Sequence, residues 1–404
     1  MLRYLNKLRF ICFFSFFYVA MSLFHCALGN QCYERVIKLD LNTGNGKKKP
    51  ISKMVLLSDE RVALVHGLDT IKVLDFSATG YEACVVTLYQ FDKDSIISSL
   101  TPLKGQRLVS GLSDGTMKVW DLSRPYGQQY VATLNGHTRW VRAVKELSND
   151  QLFSASEDGT LKVWNLKNRD GDRCVATLSE PRAESVAELS NGRLVSSSAD
   201  GTLKVWDLRE PDGKECVDKV VNVENDEEGD MQSFLLPLAG SRILFCRGNR
   251  VANVWDLSKR RRKKVPLATL MLSEAGLLTA VIKLADHRLA SCDNNGIKVW
   301  DLNKPDGDQC VADLNQQTDV VRDIIQMPNG WLASCSIDGT INLWNLANSP
   351  GKQCIGTWKH KKSSGSLMAL SDNKLVFFSD KGVVKVWDLN KPVSSNPLRG
   401  CTLF

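Results

Sequence analysis

The sequence predicts an all-β protein assembled from copies of one short repeat, and three observations support this prediction. First, the phrase "SADGTLKVWDL" at 198–208 recurs as "SEDGTLKVWNL" at 156–166 and as "LSDGTMKVWDL" at 112–122. Second, apolar and polar residues alternate in short bursts, which is typical of half-buried strands. Third, no stretch past residue 30 shows the long 3.6-residue period that a helix requires.

The spacing of the repeat is regular along the chain. Its tryptophans are Trp120, Trp164, Trp206, Trp255, Trp300, Trp344 and Trp387, with steps of 42 to 49 residues. A weaker copy, "DTIKVLDF" at 69–76, places Leu74 where the others have tryptophan, 46 residues before Trp120. Eight copies are therefore present after residue 30.

Each copy predicts four strands separated by turns. In the third copy the strands are expected at roughly 130–134, 139–147, 151–155 and 160–165. Turn residues punctuate the strands, as in "SNGR" at 190–193 and "EPDG" at 210–213, because Gly, Asn and Asp accommodate positive φ and Pro fixes φ. One repeat cannot bury both faces of its sheet and needs its neighbours, so the copies form a single domain.

A Trp-Asp or Trp-Asn dipeptide at a period of about 40 to 45 residues is the signature of a β-propeller blade. The sequence resembles the WD-repeat family over nearly the whole chain after residue 30. This resemblance implies an all-β, eight-bladed β-propeller of four-stranded antiparallel blades at 30–404. The segment "QCYERVIKL" at 31–39 resembles the outer strands at 173–178 and 309–314, so it is expected to close the ring by joining the last blade. The alternative is seven blades plus an extra degenerate repeat, with "LRGCTLF" at 398–404 as that outer strand.

The first 29 residues have a different character. Basic residues at 3, 7 and 9 precede an apolar run at 10–24, and "ALG" follows at 27–29. A basic start, an apolar stretch of up to about 15 residues and a small-x-small site describe a secretory signal peptide. We therefore expect cleavage after Gly29 and export or secretion, which would lower the formal charge from +7 to +4. The alternative is an uncleaved membrane anchor, since residues 10–27 could just span a bilayer.

The twelve cysteines do not predict disulfides. Six of them occupy the same outer-strand position in different repeats: Cys32, Cys84, Cys174, Cys216, Cys310 and Cys354. Strands about 4.8 Å apart would put neighbouring outer strands more than about 10 Å from each other, whereas a disulfide needs Cα atoms within about 7 Å. Free thiols are expected, and they also fit a final compartment that is reducing.

His137, Ser154 and Asp158 supply the residue types of a hydrolase triad. In the WD-repeat pattern, however, these positions form a structural tetrad with Trp164. The resemblance implies that Asp158 holds His137, that His137 meets Ser154, and that Ser154 meets the indole N–H of Trp164. Such a network satisfies buried polar groups and fixes the geometry of a blade.

The third copy alone keeps all four tetrad residues. In other copies Arg182, Ala275 and Gln317 fall in the loop that carries the histidine, and those blades are expected to rely on apolar packing. The chain has no metal-spaced cluster, phosphate-binding loop, nucleophile elbow or HExxH pattern. No cofactor, metal or enzymatic activity is therefore expected, and an enzyme would need a site hidden in the central channel.

What remains is the surface of a propeller. The resemblance implies a monomeric scaffold that binds protein or peptide partners through its faces, without a small-molecule substrate. The alternative is a propeller that binds polyanions such as anionic lipid or nucleic acid, because a basic run of this length is typical of polyanion patches. That run is "KRRRKK" in the fifth blade and comprises Lys259, Arg260, Arg261, Arg262, Lys263 and Lys264.

Loops that join an outer strand to the next inner strand emerge on one face, called the top face. Two of these loops are expected to form a basic quadrant of Lys47, Lys48, Lys49, Lys359, Lys361 and Lys362. A third is expected to form an acidic quadrant of Glu224, Asp226, Glu227, Glu228 and Asp230 across the ring. Arg139 and Trp140 are expected between the two, at the start of an inner strand in the third blade. Trp and Arg are enriched at binding hot spots, so this face is the predicted partner site.

Overall fold

The computed structural model describes residues 33–38, 51–76, 84–89, 95–168, 173–198, 200–209, 216–221, 233–247, 251–258, 266–272, 278–294, 296–305, 308–315, 317, 319–360, 365–379, 383–390 and 401–402. Strands are the only regular secondary structure of these residues, and they form eight antiparallel sheets. The predicted all-β class is therefore confirmed, and each sheet is one blade of a β-propeller.

The strands follow the repeat along the chain. Strand β1 (Tyr33–Lys38) precedes the first blade. The first blade comprises β2 (Ile51–Leu56), β3 (Val62–His66), β4 (Thr70–Leu74) and β5 (Cys84–Tyr89); the second, β6 (Ile97–Leu103), β7 (Arg107–Leu112), β8 (Met117–Asp121) and β9 (Tyr130–Leu134); the third, β10 (Val141–Glu146), β11 (Gln151–Ser156), β12 (Thr160–Asn165) and β13 (Cys174–Ser179); the fourth, β14 (Ala183–Glu188), β15 (Leu194–Ser198), β16 (Thr202–Trp206) and β17 (Cys216–Val221).

The second half of the chain repeats the pattern. The fifth blade comprises β18 (Ser233–Pro237), β19 (Arg242–Arg247), β20 (Val251–Asp256) and β21 (Ala268–Met271); the sixth, β22 (Ala280–Lys283), β23 (Leu289–Cys292), β24 (Ile297–Trp300) and β25 (Cys310–Leu314); the seventh, β26 (Val321–Gln326), β27 (Leu332–Ser336), β28 (Thr340–Trp344) and β29 (Cys354–Lys359); the eighth, β30 (Gly365–Ala369), β31 (Lys374–Ser379) and β32 (Val383–Asp388), followed by β33 (Cys401–Thr402).

The third copy of the repeat shows how closely the sequence predicts the strands. Three of its four expected strands, β9, β11 and β12, agree with the structure to within one residue, but the inner strand β10 begins at Val141 rather than at 139. Arg139 and Trp140 therefore lie in the loop before β10, which corrects the expectation that they begin it. The reason is local. Hydrogen bonds from His137 and Thr138 to Asp158 hold this segment as a loop, so the strand begins only after it.

Ring closure decides the number of blades. Strand β1 pairs antiparallel with β32 over six residues, from Tyr33 opposite Asp388 to Lys38 opposite Val383. The first strand of the chain thus completes the last blade and gives eight blades of four strands. The seven-blade alternative is wrong, because β33 pairs with β29 on the outer edge of the seventh blade and not with β32.

The hydrophobic core is divided among the seams between blades. Eight buried apolar clusters are present, one for each pair of neighbouring blades. The cluster of the closing seam joins Val62 and Leu64 of the first blade to Val376 and Phe378 of the eighth. Burying apolar surface stabilises by about 25 cal/mol per Å², so each blade depends on both neighbours. The closed ring is a consequence of that mutual burial.

Two local features shape the top face and the channel. In five of the inner strands the register shifts near the start of the strand, which leaves residues such as Ser98 and Arg142 without an opposite residue in the ladder, in a β-bulge. In the second blade, Gly115 turns the chain with φ +91°, and a Cβ there would lie 2.5 Å from the carbonyl oxygen of His137. Only glycine allows this close approach of the second blade to the third.

Candidate functional site

The predicted tetrad forms a continuous hydrogen-bond ladder in the third blade. His137 Nδ1 lies 2.9 Å from Asp158 Oδ2, and His137 Nε2 lies 2.8 Å from Ser154 Oγ. The indole N–H of Trp164 donates to Ser154 Oγ at 2.9 Å. Asp158 also accepts from the backbone N–H of Thr138. The ladder therefore runs from the top-face turn to the middle of the blade, as the resemblance implied.

The ladder fixes the charge state of its members. Burial lowers the pKa of His137, even though the Asp158 carboxylate favours the imidazolium. Burial disfavours ionisation of Asp158, but hydrogen bonds from Thr160 and His137 outweigh it and lower the pKa of that carboxyl. The pair is thus a neutral imidazole on an ionised carboxylate. Nδ1–H donates to Asp158, which leaves Nε2 to accept from the Ser154 hydroxyl.

This order of groups is that of a hydrolase triad, but it cannot work as one here. Ser154 has no exposed surface and His137 has 5%. The Ser154 hydroxyl is already engaged on both sides, by His137 and by the indole of Trp164. A nucleophile must reach a substrate carbonyl and have an oxyanion site beside it, and a fully enclosed serine can do neither. The ladder is a structural element.

Two other blades keep a ladder with a different residue in the histidine position. In the seventh blade Gln317 Oε1 accepts from Ser334 at 2.8 Å, and Trp344 donates to the same serine. In the fourth blade Glu180, and not Arg182, accepts from Ser196. The expectation that these blades rely on apolar packing alone is therefore wrong. The spacing could have predicted both residues, because Glu180 and Gln317 lie 16 or 17 positions before their serines, as His137 does.

Two blades lack the serine and leave their tryptophan without an acceptor. Phe245 and Phe377 stand ten residues before Trp255 and Trp387, where the second, third, fourth and seventh blades have serine. The indole N–H groups of both tryptophans are buried and have no hydrogen-bond partner. These blades replace the polar contact with aromatic packing, since Phe245 and Phe377 are completely buried in the seams. The polar ladder is consequently uneven around the ring.

The described part of the predicted partner site lies above the third blade. Arg139 is exposed and Trp140 is half-buried. The guanidinium of Arg142 lies over the Trp140 ring, 5.3 Å from its centroid, and forms an ion pair with Glu157. The backbone of Glu157 in turn donates to the carbonyl of Trp140. The Trp140 ring and the Arg142 guanidinium are thus held against each other on the top face, with the exposed Arg139 beside them.

Most of the charged loops lie outside the described residues. Lys359 is described: it is exposed at the end of β29. Outside the described residues are Lys47, Lys48, Lys49, Lys361 and Lys362, the acidic residues Glu224, Asp226, Glu227, Glu228 and Asp230, and the run from Lys259 to Lys264. The predicted opposition of a basic and an acidic quadrant therefore stays a prediction. The same holds for the signal peptide at 1–29.

Among the residues whose side chains are described, six cysteines are free: Cys174, Cys246, Cys292, Cys310, Cys335 and Cys354. Burial raises the pKa of Cys246 and Cys292 to about 12, so these thiols are unreactive packing residues. The described residues include no group of three or more metal-ligating side chains. They also include no helix long and apolar enough to cross a membrane.

Comparison with known sequences agrees with this architecture. Four segments, 83–121, 128–165, 172–207 and 308–345, match the family described as "WD domain, G-beta repeat". The F-box/WD repeat-containing protein sel-10 of Caenorhabditis elegans is 29% identical over 98 residues, which is 24% of this chain. The match spans only 16% of the length of that relative.

Comparison with solved structures concerns the fold. The C-terminal WD40 domain of Sif2 superimposes with a TM-score of 0.64 at 14% identity, covering 85% of this chain and 99% of that domain. The computationally designed protein Ika8 gives a TM-score of 0.62 at 23% identity, covering 87% of this chain and 98% of the designed one. The chain therefore contains four segments that match WD repeats, and it folds as a closed eight-bladed β-propeller.

Proposed function

We propose that the protein is a non-enzymatic scaffold that binds a protein or peptide partner through its top face above the third blade. The observation that carries this proposal is the arrangement of Trp140 with Arg142 and Glu157. Aromatic and arginine side chains contribute most at interfaces when they are fixed before binding. Here Arg142 is held by both the Trp140 ring and the Glu157 carboxylate. The loop that carries Trp140 is hydrogen-bonded to Asp158 of the ladder.

The rest of the molecule supports a binding role. WD-repeat propellers are generally interaction modules, but the fold does not determine which partner is bound. The one constellation with the residue types of a hydrolase is enclosed in the third blade. Rigid seams on either side of β10 hold the top-face loops in place, since the inner strand packs against both neighbouring blades.

Affinity capture with residues 30–404 as bait tests the proposal. Proteins retained by the unmodified bait should be lost when Arg139→Ala and Trp140→Ala are combined. The matched control is Tyr126→Ala, because Tyr126 is an aromatic residue that is 76% exposed and lies in the β8–β9 loop on the opposite face. Equal loss with both variants, or retention by the double variant, would place the partner elsewhere. Melting temperatures of all baits should agree to within a few degrees.

Charge on the same face is proposed to speed the encounter. Reversing the six lysines of the basic quadrant to glutamate should slow association several-fold at low salt, because complementary charge steers diffusing partners. Exposed charges more than about 10 Å apart are screened at 0.1 M salt, so the rate of the unmodified protein should fall as salt is added. A rate that responds to neither change would leave these loops as solvated surface.

Polyanion binding is the second candidate, and the sequence of the fifth blade favours it. The six consecutive basic residues from Lys259 to Lys264 lie between strands β20 and β21. If they bind a polyanion, replacing all six with serine should abolish retention on heparin. Retention that does not change would reject this candidate and leave the scaffold proposal untouched.

A further inference from the structure

A cavity opens at the wall of the central channel where the first three blades meet. Its volume is about 320 Å³, and it is lined by the inner strands β2, β6 and β10. We call it the channel cavity and define it by Lys53, Ser99, Thr101 and Arg142. The other lining residues are all apolar, and no carboxylate lines it. The lining thus combines two positive charges with hydroxyl groups and aliphatic surface.

The positive charge of Lys53 is not compensated locally. Among the described residues Lys53 has no ion-pair or hydrogen-bond partner. Partial desolvation by the channel wall and the positive charge of Arg142 lower the pKa of Lys53. Arg142 is held at its position by Glu157 and by the Trp140 ring, and a guanidinium has five donors, so it keeps donors for a ligand. The two cations are therefore fixed on one cavity without a counter-charge between them.

Ser99 forms part of the wall of this cavity. It is only 5% exposed, and its hydroxyl lies beside Gly111 and next to Val141, in the seam between the second and third blades. A ligand in the channel cavity would therefore meet the side chains of Lys53 and Arg142, and not the Ser99 hydroxyl.

In a neighbouring cavity, by contrast, carboxylates balance the charge of the lysines. It is lined by Lys104 and Lys145 but also by Glu146 and Glu188. Lys104 Nζ lies 3.0 Å from Asp150, and the backbone N–H of Lys104 donates to Glu146. The positive charge there is matched by carboxylates. The channel cavity differs from it in having two cations and no carboxylate among its lining residues.

We propose that the channel cavity binds a small phosphate ester, with its phosphate between Lys53 and Arg142 and its organic part on the aliphatic wall. Arginine and lysine are the side chains that most often hold phosphate, and charge-assisted hydrogen bonds are about twice as strong as neutral ones. A pocket of about 300 Å³ or more with a few placed polar groups is the usual form of a small-ligand site. This proposal shares Arg142 with the partner-binding proposal, and binding of small anions tests it separately.

Calorimetric titration of residues 30–404 with phenyl phosphate and with inorganic phosphate tests the inference, at pH 7.5 and at the ionic strength of a sodium chloride blank. Both anions should release heat above the blank, and phenyl phosphate should bind more tightly because it also covers the aliphatic wall. Lys53→Met, which keeps the length of the side chain, should weaken phenyl phosphate binding by about tenfold or more.

The control is Lys145→Met, which removes the same charge from the same channel but not from the channel cavity. It should bind phenyl phosphate like the unmodified protein. Equal weakening in both lysine variants would show non-specific attraction and overturn the proposal, as would binding that Lys53→Met leaves unchanged. Absence of binding by both phosphates would also overturn it. Equal affinity for the two anions would contradict the assignment of an ester and leave free phosphate as the ligand.

Discussion

At the scale of single residues, the polar ladder explains why one histidine matters in a chain that has five. His137 joins the turn at Asp158 to the buried hydroxyl of Ser154 with one hydrogen bond to each. His137→Ala should lower the free energy of unfolding by about 1–3 kcal/mol, because Asp158 and Ser154 each lose that hydrogen bond inside the blade. Chemical denaturation measures this change, and an undiminished stability would show that the ladder contributes nothing.

The same substitution should depend on pH in a defined direction. Burial lowers the pKa of His137 below its ordinary value of 6.5. A histidine with a depressed folded-state pKa contributes stability above the unfolded pKa and loses that contribution as the pH falls through 6.5 toward the folded pKa. His137→Ala should therefore lower the free energy of unfolding more at pH 7.5 than at pH 5.5. A loss of stability that grows on acidification would contradict the assignment of a neutral imidazole to His137.

A pair of tryptophans isolates the value of the ladder hydrogen bond. Trp164 and Trp387 are both 1% exposed, but only Trp164 donates to a serine. Replacing either by phenylalanine removes similar buried area, whereas only Trp164→Phe breaks a hydrogen bond. We expect Trp164→Phe to cost about 1 kcal/mol more than Trp387→Phe in parallel denaturation curves. Equal costs would indicate that the indole N–H contributes little in either blade.

At the scale of elements, the seam between the seventh and eighth blades carries a partly buried acid. Asp323 on β26 accepts from the backbone N–H of Leu367 on β30 at 2.9 Å and from that of Ile324. Burial nevertheless raises the pKa of Asp323 to about 6, because the two N–H donors and Arg322 do not offset desolvation. The inner strands of two blades are thus joined through a carboxyl that is costly to ionise.

The sign of the resulting pH effect follows from linkage. Between about pH 4 and pH 6 the folded protein keeps a proton on Asp323 that the unfolded chain has lost, so this group makes stability fall as the pH rises through that window. Relative to the unmodified protein, the free energy of unfolding of Asp323→Asn should therefore rise between pH 4 and pH 7, by about 2–3 kcal/mol at most. Thermal melts at both pH values measure the gain. Asp313→Asn is the control, because Asp313 is exposed. An identical pH response of the two variants would contradict the raised pKa of Asp323.

At the scale of the whole molecule, the ring is closed by its first strand. Strand β1 covers the edge of β32, and without it the eighth blade would keep three strands and an open edge. A chain that starts at Asp40 should melt several degrees below one that starts at Asn30, because about six residues of backbone pairing are lost and an edge strand is exposed. Calorimetry and light scattering measure the melting point and the aggregation that an open edge promotes.

Removing residues 391–404 provides the matched truncation. These residues include β33, which pairs with β29 on a blade that already has four strands. This truncation should change the melting temperature far less than the loss of β1. Equal changes in melting temperature for the two truncations, or no change on loss of β1, would contradict the prediction. The stability of the ring would then not depend on closure by β1.

The sequence by itself determined the repeat and the strand class, and the family resemblance predicted eight blades and the tetrad of His137, Ser154, Asp158 and Trp164. These features depend on local periodicity and on residue types at fixed spacing, and both can be read along the chain. Even the ladder roles of Glu180 and Gln317 were available, because they lie 16 or 17 residues before their serines.

Only the tertiary structure decided which groups from different blades meet. Lys53 and Arg142 are 89 positions apart in the sequence, and Asp323 acquires its raised pKa at a seam with a strand more than 40 residues later. Trp140 could be assigned to a half-buried loop, rather than to a strand, only once its contacts with Arg142 and Glu157 were known. The physical reason is that desolvation and charge interactions depend on distance and burial in three dimensions, and the order of residues within one repeat does not contain either quantity.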